Sequence, residues 1–412
     1  MSVYVYIFRE SPVRLWGLSL RQRLERVLKK AGITGFTDDI FSIPSQSRVL
    51  LIRGDYLYDE RVISSLLDTR DVLLLAGAEG DQVAAAAHIP ACNAPQILEL
   101  MTKPGPGLSV EIPVPGIRTK TPETLTFSVN KKLRKSDPPF VLPVTSSNYH
   151  ELEQHLFNSS YKGITDLITK WAWPLPARWG TRICASYGIR PNHVTTVSLV
   201  LVILAAVFFR HGLFGWGLLA GWIMTFLDTV DGKLARVTVT SSRFGHLFDH
   251  LIDLIHPPVW YVVWGLGLGV SHIYKPWLSL NLILWLIIGG YIIGRLAELM
   301  FTACLDSFGI FCWRPFDSYF RLITARRNPN LILLSAGAAT GRPDLGLLAV
   351  AFWTVASSII LVMRLVMAGF IRITSGPLCS WLPDIDKGKY NGTTAKKIFT
   401  SKRTICQGNR NE

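Results

Sequence analysis

Read as a pattern of apolar and polar positions, the chain changes character near residue 190. Before it, short apolar runs alternate with polar stretches; after it come apolar runs long enough to cross a bilayer. Residues 2–8 (Ser-Val-Tyr-Val-Tyr-Ile-Phe) predict a buried strand, being short, β-branched and aromatic. Residues 19–31 predict a basic amphipathic helix, with Leu20, Leu24, Val27 and Leu28 on one face and Gly32 as its stop. A second buried strand spans 49–52 and ends at Arg53-Gly54-Asp55. A helix over 59–68, capped by Asp59, and a strand over 71–76 follow. This alternation predicts a small α/β region with a largely parallel sheet, whose ligands would sit at the strand ends, where Asp55 falls. Residues 102–145 are rich in Pro, Gly and Thr and read as irregular strands or linker. Their basic cluster, Lys131, Lys132, Arg134 and Lys135, reads as a solvated loop able to meet anionic headgroups.

From 161 to 187, Trp171, Trp173 and Trp179 mix with Lys170, Arg178 and Arg182. The stretch is too polar to span and predicts a helix lying in the membrane interface, broken near Pro174 and Pro176. Six spans are expected beyond it, at about 193–210, 213–236, 243–271, 278–304, 328–341 and 345–370, the fifth being short. Basic residues settle an orientation. Arg178, Arg182, Arg190, Arg236, Arg243, Arg314, Arg321, Arg326, Arg327 and the Lys-rich tail fall on one side, against Arg210, Lys275 and Arg342 on the other. That asymmetry places both termini in the cytoplasm, with a bacterial inner membrane as the expected host. The expected organisation is an α/β domain over 1–145, a linker and interfacial helix over 146–190, an all-α membrane domain over 191–375 and a basic cytosolic tail over 376–412.

Charge and cysteine content narrow the class. With 43 Lys and Arg against 29 Asp and Glu, the net charge is +14, which suits nucleic acid or an anionic membrane surface. Only 17% of residues are charged, and the shortage lies mostly after residue 190, so the membrane reading prevails and no nucleic-acid partner is expected. The 6 cysteines show neither CxxC pairing nor His-rich company, so no zinc site or disulfide framework is indicated. Arg9, Arg14 and Arg21 interrupt any apolar core that a signal peptide would need.

Ionisable groups beside or within spans are costly and mark a site. The stretch from Asp228 to Asp253 carries four carboxylates. Asp228 and Asp231 are spaced i, i+3 and share one helix face; Asp249 and Asp253 are i, i+4 and share another. A short turn between two helices can aim both pairs at one point, where four acids would repel without a counter-charge. One or two divalent cations, Mg²⁺ or Mn²⁺, are the fitting partner for all-oxygen ligands. Gly232 and Gly245 let a bulky ligand approach the backbone, and Arg236 offers a fork for phosphate oxygens. Phosphoryl transfer is the chemistry that joins these features.

The full pattern, D-x2-D-G-x2-A-R-x8-G-x3-D-x3-D from Asp228 to Asp253, resembles the CDP-alcohol phosphotransferase (phosphatidyltransferase) family at every fixed position. The resemblance implies that Asp228, Asp231, Asp249 and Asp253 hold the metal. It also implies that Gly232, Ala235, Arg236, Gly245 and Asn192 receive the CDP-alcohol. Asp253 would be the general base for an acceptor hydroxyl, with CMP leaving; His246 and His250 are read as neighbours rather than catalysts. A homodimer is expected by the same resemblance. Arg295, in an otherwise apolar span, and Arg326 with Arg327 are candidates for an acceptor phosphate, with Arg321 one turn earlier.

Residues 1–145 resemble the sugar-nucleotide or alditol-phosphate nucleotidyltransferase fold in two places. One is Arg14-Leu15 through Ala31-Gly32-Ile33; the other is Arg53-Gly54-Asp55-Tyr-Leu-Tyr-Asp59, whose Asp55 would hold a metal. The glycine-rich loop expected between residues 8 and 14 is replaced by Phe-Arg-Glu-Ser-Pro-Val-Arg, and a downstream Pro-Lys pair is absent. A degenerate domain is therefore expected, as nucleotide binder or scaffold. Two alternatives remain at this point: a bifunctional enzyme that makes and uses CDP-inositol, and a metal-binding membrane transporter.

Overall fold

Six strands form one mixed sheet in the first third of the chain. They are β1 (Val3–Phe8), β2 (Gly35–Thr37), β3 (Arg48–Arg53), β4 (Val72–Ala76), β5 (Val83–Pro90) and β6 (Arg118–Lys120), in the order β2-β1-β3-β5-β4-β6. The computed structural model describes residues 3–78, 82–102, 114–241, 243–269 and 279–400. Lys275, Lys402, Arg403 and part of the Pro/Gly-rich stretch lie outside these, as do the side chains of Arg243 and His246.

The expected parallel character holds for β1 with β2 and β3, but β5 runs antiparallel between β3 and β4, so the sheet is mixed. Four consecutive alanines in β5 are better helix formers than strand formers. Here they lie between two strands whose residues are almost all buried, and small side chains suit that confinement. Helices α1 (Leu20–Lys30), α2 (Glu60–Asp68) and α3 (Ala94–Thr102) cover the sheet. Asp59 caps α2, its carboxylate accepting from the Arg61 backbone N–H at 2.9 Å.

His88, in β5, is buried with Nδ1 facing the carbonyls of Leu66 (3.0 Å) and Thr69 (2.9 Å), while Arg48 Nε donates to its Nε2 at 3.3 Å. Burial first, then the Arg48 charge, lowers its pKa below the usual histidine value. The sign follows: the unfolded chain takes up a proton near pH 6.5 that the folded one resists, so stability falls as pH drops below that value. Thermal melts between pH 7.5 and 5 are expected to show a falling Tm, with a shallower slope in His88→Gln.

After α4 (Tyr149–Ser159) the chain is helical: α5 (Pro174–Ser186), α6 (Pro191–Arg210), α7 (Phe214–Val237), α8 (Arg243–Gly267), α9 (Leu280–Met300), α10 (Pro315–Ile323), α11 (Arg327–Ala339) and α12 (Pro343–Ser375). Pro174 and Pro176 lie in the first turn of α5 and begin that helix rather than break it. Trp171, Leu175 and Trp179 are exposed, whereas Trp173 packs edge-on against Trp222 and Phe226 of α7.

Helices stand at all six positions expected of spans, but three of them are long and apolar enough to cross a membrane: α6, α9 with its extension to Leu305, and α12. The others differ for physical reasons. α7 and α8 carry the carboxylates, and α11, with 13 residues, reaches only about 20 Å at 1.5 Å per residue. At Gly337 a Cβ would stand 2.5 Å from the Gly346 Cα, so α11 and α12 meet backbone to backbone there.

The structure corrects one expectation and adds one feature in the basic segments. Lys135 is buried, its ammonium bound to Asp137 (2.6 Å) and to the Ser159 carbonyl (2.8 Å), and so leaves the solvated cluster. The tail is folded up to residue 400: helices at Leu382–Asp386 and Thr394–Phe399 bury Leu382, Ile385 and Phe399 against α10 and its surroundings.

Candidate active site

The last turns of α7 and the first turns of α8 bring the acids together. Asp228, Asp249 and Asp253 each offer an oxygen within 4.8 Å of the other two. Arg327, the first residue of α11, reaches into this group and donates to Asp228 Oδ2 and Asp253 Oδ1, both at 2.5 Å. One guanidinium among three half-buried carboxylates leaves a net negative site made wholly of oxygen donors. Such a site fits a hard divalent cation, whose ligands stand about 2.1 Å from Mg²⁺, after a small contraction of the group.

Asp231 takes a different position from its three companions. Its Oδ2 accepts from Thr195 Oγ1 of α6 at 2.7 Å, and it is not part of the three-carboxylate group. Thr195 thus ties the first long helix to the motif, and sequence spacing gave no sign of it. Arg236, one turn on, has a buried Nε with no partner among the described residues. Its guanidinium fills the space beside Gly232, where a Cβ would lie 3.0 Å from Nη2. Ala235 and Gly245 are half-buried, and Asn192 is exposed in the first turn of α6, one turn before Thr195. His250 lines the cavity described next.

That cavity opens beside Asp253 and is lined by Asp166, Tyr291, Arg295, Arg321, Arg326, Arg327 and Asn328. Its arginines carry unused donors: Nε and Nη1 of Arg321, Nε of Arg295 and Nε of Arg326 are buried without a hydrogen-bond partner among the described residues. Burial first, then the neighbouring Arg326, lowers the Arg321 pKa. An anion there offsets both the burial and the Arg326 repulsion. Glu298, absent from the sequence reading, pairs with Arg326 and lies 3.1 Å from Arg295, and so fixes both heads in place. Asp166 is held by Thr169 and by Asn328 (Nδ2 to Oδ1, 2.9 Å). Burial opposes its charge, but Arg321 and these hydrogen bonds outweigh that and hold its pKa below the usual carboxylate range. Arg327, grouped with the acceptor arginines in the sequence reading, lines this cavity and also donates to the carboxylates.

The helices bearing the four acids match a protein family. Residues 189–305 correspond to the CDP-alcohol phosphatidyltransferases. This segment is a CDP-alcohol phosphatidyltransferase domain. Among similar proteins, an archaetidylinositol phosphate synthase of Pyrococcus horikoshii is 36% identical over 89 residues, covering 21% of this chain and 44% of that protein. A phosphatidylinositol phosphate synthase of Streptomyces avermitilis is 36% identical over 69 residues, 16% of this chain and 28% of that protein. A cholinephosphotransferase 1 of Danio rerio is 27% identical over 124 residues, 27% of this chain and 31% of that protein. The chain thus spans less than half the length of these relatives. The phosphatidyltransferase domain comprises α6 to α9 and so contains all four acids, while Arg321, Arg326 and Arg327 lie beyond it.

Proposed function

We propose that the protein is a membrane-embedded, metal-dependent transferase that moves a substituted phosphate from a CDP-alcohol to an acceptor hydroxyl and releases CMP. The observation that carries this reading is the convergence of Asp228, Asp249 and Asp253 within a phosphatidyltransferase domain. Three apolar helices support membrane association. We take α6, α7, α8, α9, the short α11 and α12 as the spans, with the carboxylates and both termini facing the cytoplasm.

The carboxylate group would hold Mg²⁺ or Mn²⁺, one or two ions, with Asp231 joining from its Thr195 anchor. Bound there, the metal neutralises diphosphate charge and polarises the phosphoryl group. Arg236, whose guanidinium lies against Gly232, binds diphosphate oxygens, and Ala235, Gly245 and Asn192 leave room for the donor. Asp253 keeps one oxygen clear of Arg327 and takes the proton of the acceptor hydroxyl. The acceptor oxygen bonds to the β-phosphorus as the bond to the CMP oxygen breaks. Arg295, Arg321 and Arg326 bind a phosphate on the acceptor, which makes a polyol phosphate such as inositol phosphate the leading candidate. The two inositol-phosphate relatives agree with that choice.

The α/β region is read as a degenerate nucleotidyltransferase-like domain. Arg53 donates to both oxygens of Asp55, at 2.9 and 2.6 Å, so the strand-end acid that the resemblance assigns to a metal is already paired. This disfavours an enzyme that also makes its own CDP-alcohol. Purified protein in detergent, given CDP-diacylglycerol and inositol phosphate, is expected to release CMP with added Mg²⁺ or Mn²⁺. EDTA is expected to reduce release at least about 10²-fold, reversibly. Uptake of solute with no CMP-linked reaction under any metal would favour a transporter instead.

A further inference from the structure

The start of the turn between the two acid-bearing helices is built into the core of the α/β region. Val239 is 7% exposed and packs in one cluster with Leu24, Val27 and Leu28 of α1 and with Val62, Ile63 and Leu66 of α2. Its φ is +53°, a left-handed conformation that β-branched residues rarely adopt. Such a backbone persists where its surroundings over-determine it. Here Thr238 Oγ1 donates to the Leu234 carbonyl at 2.6 Å and Thr240 N to the Ala235 carbonyl at 2.9 Å, while the α/β core holds the side chain.

Two arginines of α1 close the same joint. Arg23, buried, donates to the Val237 carbonyl, and Arg26 Nη1 donates to the Thr238 carbonyl at 2.7 Å. These are the terminal carbonyls of α7, where the helix end is partially negative and cations are favoured. Val230, Leu234 and Val237 of α7 pack in turn with Leu15, Trp16, Leu20 and Leu57 of the α/β region. Asp231 lies about 9 Å up the axis from this end, at 1.5 Å per residue. A change in the rotation or rise of α7 therefore reaches Asp228 and Asp231 almost undiminished.

We propose that Arg23, Arg26 and Val239 are positioning residues: the α/β region sets the register of α7 against α8 and thereby the metal affinity of the carboxylate group. The inference rests on the transferase reading for its kinetic consequence, but its binding consequence stands apart from it. It gives the α/β region a role that needs no nucleotide.

The test uses the full chain in detergent with three variants: Arg23→Ala with Arg26→Ala, the corresponding pair of lysines, and Val239→Gly. Glycine is at ease at this φ, so Val239→Gly keeps the turn and removes only the anchor. Mn²⁺ binding is read by electron paramagnetic resonance, alongside melts and CMP release. The alanine pair and Val239→Gly are each expected to weaken Mn²⁺ binding and lower kcat about tenfold, a common size for coupling between sites. Donor KM should rise in parallel, since Gly232 and Arg236 lie on the same last turns of α7, and the lysine pair should recover most of the loss, since the charge at the helix end is kept. A lowered melting temperature with unchanged Mn²⁺ affinity and kcat would overturn the proposal, leaving a purely structural interface. If the alanine pair does not fold, Val239→Gly decides on the same readouts. Normal Mn²⁺ binding by a wild type that releases no CMP would sink the transferase reading, and the comparison of Mn²⁺ affinities would still decide this one.

Discussion

Asp253→Asn is expected to lower CMP release about 10³-fold, combining loss of a proton acceptor, commonly worth 10² to 10⁴, with loss of a metal ligand. The substitution keeps size and shape but cannot take a proton or carry charge. It also deprives Arg327 of one of its two carboxylate partners, which makes the guanidinium lean wholly on Asp228. Because the Asp253 side chain is 40% exposed, the accompanying loss of stability should be small. The check is kcat in detergent beside a melt of the same sample. A folded variant with wild-type turnover would remove Asp253 from the chemistry.

Arg321→Ala is expected to raise KM for a phosphorylated acceptor about 30- to 300-fold, since charged hydrogen bonds in buried sites are worth roughly 2 to 3 kcal/mol. KM for the CDP-alcohol should hardly move, and an acceptor lacking phosphate should be used equally well by variant and wild type. Arg321 is the cleanest probe of the cavity because two of its nitrogens are buried without partners. Arg326→Ala would be harder to read, as it also strips Glu298 of its nearest counter-charge. Equal KM values for phosphorylated and unphosphorylated acceptors in wild type would contradict an anion site in this cavity.

Much of the architecture was legible because strong local signals agreed with the fold. The amphipathic pattern of α1, the Asp59 cap of α2, and six apolar segments each gave a helix at the expected place. The antiparallel β5 was not legible: Ala84 to Ala87 carry no strand pattern, and only burial between two neighbours makes them one. In the site, helical spacing anticipated that Asp249 and Asp253 would converge with Asp228. It did not anticipate that Asp231 would turn to Thr195, because that hydrogen bond joins residues 36 positions apart. The same holds for Arg327, which meets Asp228 across 99 positions, and for Glu298 with Arg326 across 28. Local periodicity says which residues share a face, whereas the partner that meets that face is set by packing of distant helices. Val239 belongs to this second kind, since nothing in a Thr-Val-Thr turn announces that it anchors in another region's core.

The most direct measurement is metal-dependent CMP release by the purified full chain, with wild type, Asp249→Asn and Asp253→Asn run side by side. CDP-diacylglycerol and CDP-inositol would serve as donors, each against inositol phosphate, glycerol phosphate and their unphosphorylated alcohols. Release by wild type from one donor–acceptor pair, dependent on Mg²⁺ or Mn²⁺ and lost in both variants, is the predicted result. Release that persists in both folded variants, or that ignores the metal, would contradict a carboxylate-held metal as the centre of the reaction.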